Sequence, residues 1–257
     1  MSGTTATKDE HTSLALDLRA RVARMRREPR VYDYCYFTAR TNLDALRSVI
    51  ESLGDGLNAV LDVGCGKKPF RPLFPDSVRY VGMDLGGDTD ADVVHDLETR
   101  WPLDDGSFDV VLMSEVMEHL GDPEHALREA ARVLRPGGML YVTTPFAFPL
   151  HARPYDYFRY TEYYYRRLPE RHPFTVVRLD ASNLVFVTPA LQSELFLLPV
   201  PVPYVLKQAA WTIGNAGALL VEALVGGLGG RRAKGEGRLA SFLRSNPCGY
   251  AVVLRRG

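Results

Sequence analysis

The chain is poor in cysteine. Its three cysteines (Cys35, Cys65 and Cys248) are far apart and odd in number. That excludes a disulfide framework, offers no metal-ligand spacing, and fits reduced thiols of a cytoplasmic protein. An excess of charge is also missing. Lys plus Arg is 31 and Asp plus Glu is 31, for a net charge of zero, so composition gives no electrostatic reason to expect a nucleic-acid partner. No charge-free apolar run of about 18 residues is convincing as a membrane span. The nearest candidate, 195–230, carries Pro199, Pro201 and Pro203, with Lys207 and Glu222 further along. The N-terminus lacks the pattern of a secretory signal, and residues 1–13 are polar enough to form a disordered tail. There is no internal repeat.

What remains is an ordinary globular balance, 46% apolar and 24% charged over 257 residues, long enough for one α/β domain with an insertion. Periodicity predicts a helix over 14–28 with a basic face, ended by Pro29. That face reads as solvated, with an anionic membrane or ligand contact as the alternative. A second helix is expected from Thr41 to Leu53, closed by Gly54, so that 14–56 forms a helical cap on a domain spanning 14–257.

An alternating series follows. Strands are expected at Ala59–Val63, Val78–Met83, Asp92–His95, Phe108–Met113 and Met139–Thr143. The run FDVVLM suits a parallel strand covered on both faces. A helix starts at Asp122-Pro123 and runs through Leu134, where Pro136-Gly137-Gly138 ends it. Another follows Thr161. Phe174–Leu179 and Tyr250–Leu254 are the last expected strands, separated by a helical insertion at 184–245 that is too long for a hairpin. Strands alternating with helices imply a Rossmann-like, doubly wound, mostly parallel α/β sheet.

The segment VLDVGCGKKPF (Val60–Phe70) puts glycines directly after the first strand, where open α/β sheets bind ligands and a backbone without Cβ admits close approach. Asp84 ends the next strand, about twenty residues after the first glycine, where a carboxylate can accept from two ribose hydroxyls. In His95-Asp96-Leu97, Asp96 could accept from an adenine amino group and Leu97 could cover the ring, or Asp96 could cap a helix. Ser114-Glu115-Val116 follows the fourth strand and could line the far end of such a ligand, or Glu115 could be a surface helix residue.

These motifs in order, LDVGCG, YVGMDL, HDLETRWPLDDGSFDVVLMSEVMEHLGDP and EAARVLRPGGMLYVTTP, resemble the class I S-adenosylmethionine-dependent methyltransferases over about Ala59–Pro145. The resemblance implies a seven-stranded sheet with an antiparallel last strand and S-adenosylmethionine as cofactor, with no metal expected. It implies cofactor-holding roles for Asp62, Gly64, Cys65, Gly66, Asp84 with its neighbour Leu85, Asp96, Leu97, Ser114 and Glu115. Lys68 stands where the family often has a third glycine, so the methionine carboxylate could meet Lys67 or Lys68, or the loop could simply be stiffer. Lys68 and Pro69 also weigh against a nicotinamide enzyme, whose fingerprint needs a glycine and an N–H there.

After the fifth strand, Pro145–Thr161 mixes aromatics with His151, Asp156 and Arg159 on a loop at the carboxyl edge of the sheet. It resembles a bacterial methyltransferase subgroup with Pro-Phe, His, Pro, Asp-Tyr and Arg-Tyr-Thr in this order. His151 is the first candidate for general base and His119 the second. Asp156 could orient the histidine or bind the acceptor. Arg159 could pair with an anionic acceptor, or Asp156 and Arg159 could salt-bridge and pin the loop. The Asn-Pro-Pro-aromatic motif of nucleic-acid amino methyltransferases is absent. The expected acceptor is therefore a small molecule, either a secondary metabolite or a glycan or lipid precursor. The alternative is a non-catalytic S-adenosylmethionine-binding protein acting through the apolar insertion. For that insertion three readings stand: a lid over the acceptor, a homodimer contact, or a peripheral membrane contact beside Arg231-Arg232-Ala233-Lys234.

Overall fold

A computed structural model describes residues 20–182, 187–197, 200–229 and 246–257. The expected tail at 1–13, the start of the first helix, and the basic stretch 231–234 lie outside the described residues. Helix α1 is described over residues 20–27. Helix α2 (Tyr36–Leu53) starts five residues before the predicted Thr41 and ends at Gly54, whose φ of 47° is left-handed. The sheet strands are β1 (Ala59–Val63), β2 (Arg79–Asp84), β3 (Val93–Val94), β4 (Phe108–Ser114), β5 (Leu134–Pro145), β6 (Phe174–Ser182) and β7 (Gly249–Arg256). Helices α3 (Pro123–Val133) and α4 (Glu162–Arg166) flank them, and α5 (Val187–Leu197) and α6 (Tyr204–Gly229) lie between β6 and β7.

The strand order is β3-β2-β1-β4-β5-β7-β6. All pairs are parallel except those of β7, which runs antiparallel to both β5 and β6. β1 and β4 at the centre of the sheet are buried on both faces, which is why they read as continuous apolar runs. Leu61, Val63, Val111 and Met113 pack on the α3 side with Leu127. Val60, Val110 and Leu112 pack on the α2 side with Ala45, Leu46 and Val49.

Several boundaries differ from the sequence expectation. Helix α3 begins as predicted, with the Asp122 side chain accepting from His125 N and Pro123 at the first turn. It ends one residue early because Leu134 already pairs with Phe108 across the sheet. Pro136-Gly137-Gly138 then lies inside β5. A register shift between Phe108 and Val110 absorbs the irregularity. β3 contracts to two residues at the sheet edge.

Helix α6 lies against the N-terminal cap. Trp211 and Asn215 are buried. The Asn215 amide donates to Val31 O at 2.8 Å and Asp33 O at 3.0 Å. Trp211 meets the rings of Tyr34 and Tyr204, each at 5.7 Å. The opposite face of the helix leaves Leu206, Ile213 and Leu220 exposed. No helix among the described residues is long and apolar enough to cross a membrane.

Candidate active site

The chain leaves β1 toward one side of the sheet and β4 toward the other, so a crevice opens between their carboxyl ends. Gly64 follows β1 and Glu115 follows β4. Gly64 has φ 66°, and a Cβ there would stand 2.5 Å from Val116 Cγ2, so no other residue fits without movement. Glu115 has φ 57°, an uncommon conformation for a side-chain-bearing residue, held in part by its N–H bonding Thr143 O at 2.9 Å.

Three adjoining cavities surround this point. One of about 540 Å³ is lined by Gly64, Asp84, Leu85, Asp96, Leu97 and Glu115. A second of about 530 Å³ is lined by Gly64, Cys65, Gly66 and Lys67 together with Val22 and Arg26 of α1. A third of about 370 Å³ lies beyond Glu115 and is lined by His119, His151, Phe148, Asn42 and again Val22 and Arg26. Nine of the eleven residues predicted to hold a cofactor therefore line the first two cavities.

Asp84 Oδ2 accepts from Gly66 N at 2.8 Å and Oδ1 from Leu85 N at 2.7 Å. The glycine turn thus fixes the carboxylate at the strand end, and each oxygen keeps a lone pair for another donor. Asp96 is held by Glu98 N at 3.0 Å, and Leu97 is buried beside it. The other two predicted residues do not line these cavities. Asp62 is buried in β1, accepting from the Tyr80 hydroxyl at 2.6 Å. Ser114 is buried with its hydroxyl 3.0 Å from that of Thr143.

Both lysines of the turn are engaged elsewhere. Lys67 Nζ pairs with Asp88 at 2.6 Å and Asp90 at 3.2 Å, and Lys68 Nζ pairs with Asp92 at 2.7 Å. The cation facing both the turn and the third cavity is Arg26. Its charge makes Asp62 and Glu115 more acidic than their burial alone would leave them. The sequence reading took the basic face of this helix as solvated, with an anionic membrane or ligand contact as the alternative. Nothing in its periodicity distinguishes Arg26 from its basic neighbours.

In the third cavity the two candidate histidines meet, their rings edge to face at 4.8 Å. Between them lies Glu118, which sequence reasoning passed over. It is fully buried, and neither carboxylate oxygen has a hydrogen-bond partner among the described residues. Glu118 Oε1 is 3.6 Å from His119 Nε2 and 3.8 Å from His151 Nε2. The 151–160 loop is docked on this turn, with Tyr157 N donating to Glu118 O at 2.8 Å and the Tyr160 hydroxyl to Met117 O at 3.0 Å.

Asp156 and Arg159 form a two-pronged pair at 2.5 and 2.8 Å, and Arg159 holds the Asp156 carboxyl well below the usual carboxylate range. Asp156 Oδ2 also accepts from His151 N at 2.9 Å. Both residues therefore pin the loop. The Glu118 carboxylate, with Asp156 in support, raises the His151 pKa above the ordinary histidine value. Burial beside Glu118 raises the Glu115 carboxyl.

The methyltransferase domain family matches residues 15–181. A protein of Mycolicibacterium smegmatis described as a probable S-adenosylmethionine-dependent methyltransferase is 40% identical over 96 residues, 34% of this chain and 37% of that protein. The demethylmenaquinone methyltransferase of Clavibacter sepedonicus is 39% identical over 107 residues, 40% of this chain and 43% of that one. The chain thus spans less than half the length of either relative. A chain of the complex between the Haloferax volcanii Trm112 methyltransferase activator and a methyltransferase is similar in fold. Its TM-score is 0.52 at 19% identity, over 98% of this chain and 99% of that one.

Proposed function

The chain belongs to the methyltransferase domain family, the class I S-adenosylmethionine-dependent methyltransferases, and from that membership we propose that it methylates a small molecule. The observation that carries this reading is the run of three cavities along one crevice, meeting at Gly64 and Glu115.

The first two cavities suit S-adenosylmethionine, which supplies a methyl group activated by the sulfonium charge. Asp84 would accept from the ribose hydroxyls with its remaining lone pairs. Asp96 and Leu97 would hold the adenine, by hydrogen bond and by ring coverage. Gly64 and Gly66 bring bare backbone to the chain of the ligand. Arg26, rather than Lys67 or Lys68, would meet its carboxylate, since both lysines already have anionic partners.

The acceptor would occupy the third cavity, across Glu115. Its wall of Phe148, Tyr34 and Met25 favours an acceptor with a ring or apolar part. The relative that acts on demethylmenaquinone, by its name, has an acceptor of that kind. Methyl transfer forms a bond from the acceptor atom to the methyl carbon as the carbon–sulfur bond breaks, and sulfur keeps the electron pair. The protein's chief contribution is in-line alignment across the crevice. A hydroxyl acceptor must also lose a proton, and the cluster of Glu118, His119 and His151 is the group placed to promote that loss.

The test uses S-adenosylmethionine labelled in its methyl group, incubated with the protein and a cell extract separated into small-molecule, protein and nucleic-acid fractions. Label in the small-molecule fraction is expected. Label confined to protein or nucleic acid overturns the acceptor class. Cofactor binding with no transfer to any fraction favours the non-catalytic reading.

A further inference from the structure

Resting on the methyltransferase reading, we propose that Glu118, His119 and His151 form a binding site for a divalent first-row transition cation that faces the acceptor cavity. One ligand atom from each lies within 4.8 Å of the others. Two imidazoles and one carboxylate make a mixed nitrogen–oxygen set of the kind such cations prefer, and three protein ligands leave coordination positions open.

Glu118 is the first observation that points to a ligand. A carboxylate taken fully out of water without hydrogen bonds is costly, and both its oxygens lie buried and unpartnered. A cation in front of Oε1 supplies the missing partner.

The histidine tautomers are the second. His119 Nδ1 lies 2.6 Å from Tyr155 O. A carbonyl oxygen only accepts, so in the neutral ring Nδ1 carries the proton and Nε2 keeps its lone pair. His151 Nδ1 lies 3.3 Å from Pro149 O and 3.3 Å from Asp156 Oδ2. Both are acceptors, so in the neutral ring Nε2 keeps its lone pair, and a cation there competes with the proton that the Glu118 carboxylate favours on this ring. Each Nε2 is the atom on the Glu118 side. Outward Nδ1–H donation to a carbonyl or carboxylate, with Nε2 turned inward, is how metal-binding histidines are oriented.

Arg159 completes the arrangement by fixing Asp156 behind His151. Asp156 and Arg159 are thereby positioning residues. Ligand spacing along the sequence does not display this set, because Glu118 and His119 sit on a turn and His151 on a distant loop.

His119 and His151 also line the third cavity, so a cation held by them would border it. An acceptor hydroxyl held there loses its proton to solvent more readily beside a divalent charge. The cation then takes the role first given to His151 as general base, because an imidazole nitrogen engaged with a metal has no lone pair for a proton.

The experiment is calorimetric titration of chelator-treated, full-length protein with Zn2+, repeated with Co2+ while recording visible absorption. Glu118→Gln, which keeps the buried shape, and His151→Ala, on the loop, are measured beside the wild type. S-adenosylmethionine affinity is measured on every sample. One Zn2+ per chain at micromolar affinity or tighter is expected, weakened about 100-fold in both variants, with cofactor binding retained. Wild type that binds the cofactor but takes up neither cation overturns the site, as does equal affinity in wild type and variants. Cation uptake by folded protein that binds no cofactor sustains the site and overturns the methyl donor instead.

Discussion

Asp62 is a carboxyl group enclosed within the sheet. It lies inside LDVGCG but is buried in β1 and bonded to the Tyr80 hydroxyl. Burial pushes its carboxyl up from 3.8 to about 7, while the hydroxyl holds it back. The folded pKa stands above the unfolded one, so the folded chain keeps a proton that the unfolded chain has already released. Stability from this group is therefore full below about 3.8 and declines as pH rises toward 7. Asp62→Asn keeps an oxygen for Tyr80 and removes the buried charge. It is expected to raise the unfolding temperature at pH 8, and by progressively less as pH falls to 4, in thermal melts followed by circular dichroism. Equal destabilisation at both ends of that range would show that the carboxylate, not its burial, is what β1 needs there.

At the scale of elements, α6 reaches the site through the cap. Asn215 bonds the carbonyls of Val31 and Asp33, and the Asp33 side chain pairs with Arg24 of α1. Helix α1 in turn presents Val22 and Arg26 to the cavities. Among the described residues, none of α5 or α6 lines these three cavities, and α6 meets the cap through Asn215 and Trp211. Trp211→Ala removes a fully buried ring, a loss of about 3–5 kcal/mol. The expected result is faster hydrogen exchange in residues 20–35 and weaker cofactor binding, with exchange in β1, β4 and β5 little changed. Unaltered protection of 20–35 would separate α6 from the site.

The same elements set what the sequence could reveal. β1 and β4 were legible because strands buried on both faces are apolar throughout. Asp84 and the glycine turn were legible because their spacing is local to the single connection from β1 to β2. The early start of β5 was not, since Pro136-Gly137-Gly138 looks like a helix stop until Leu134 is paired with Phe108. Glu118 was invisible because its meaning depends on His151, brought to it by a loop that docks through backbone hydrogen bonds. Arg26 was hidden for a related reason: the face that α1 turns to the crevice is decided by its packing, not its own periodicity.

For the molecule as a whole, the reversal of strand order between β1 and β4 places the cavities in series at the carboxyl edge. The donor would lie over β1 and β2, and the acceptor toward β5 and the cap. We infer that this crevice holds S-adenosylmethionine, with Asp84 as the ribose anchor. This is tested most directly by calorimetric titration of wild type and Asp84→Ala with S-adenosylmethionine and S-adenosylhomocysteine. Micromolar binding of both to the wild type is expected, and its loss in Asp84→Ala. Folded wild-type protein that binds neither would contradict the claim and leave the glycine turn to another ligand.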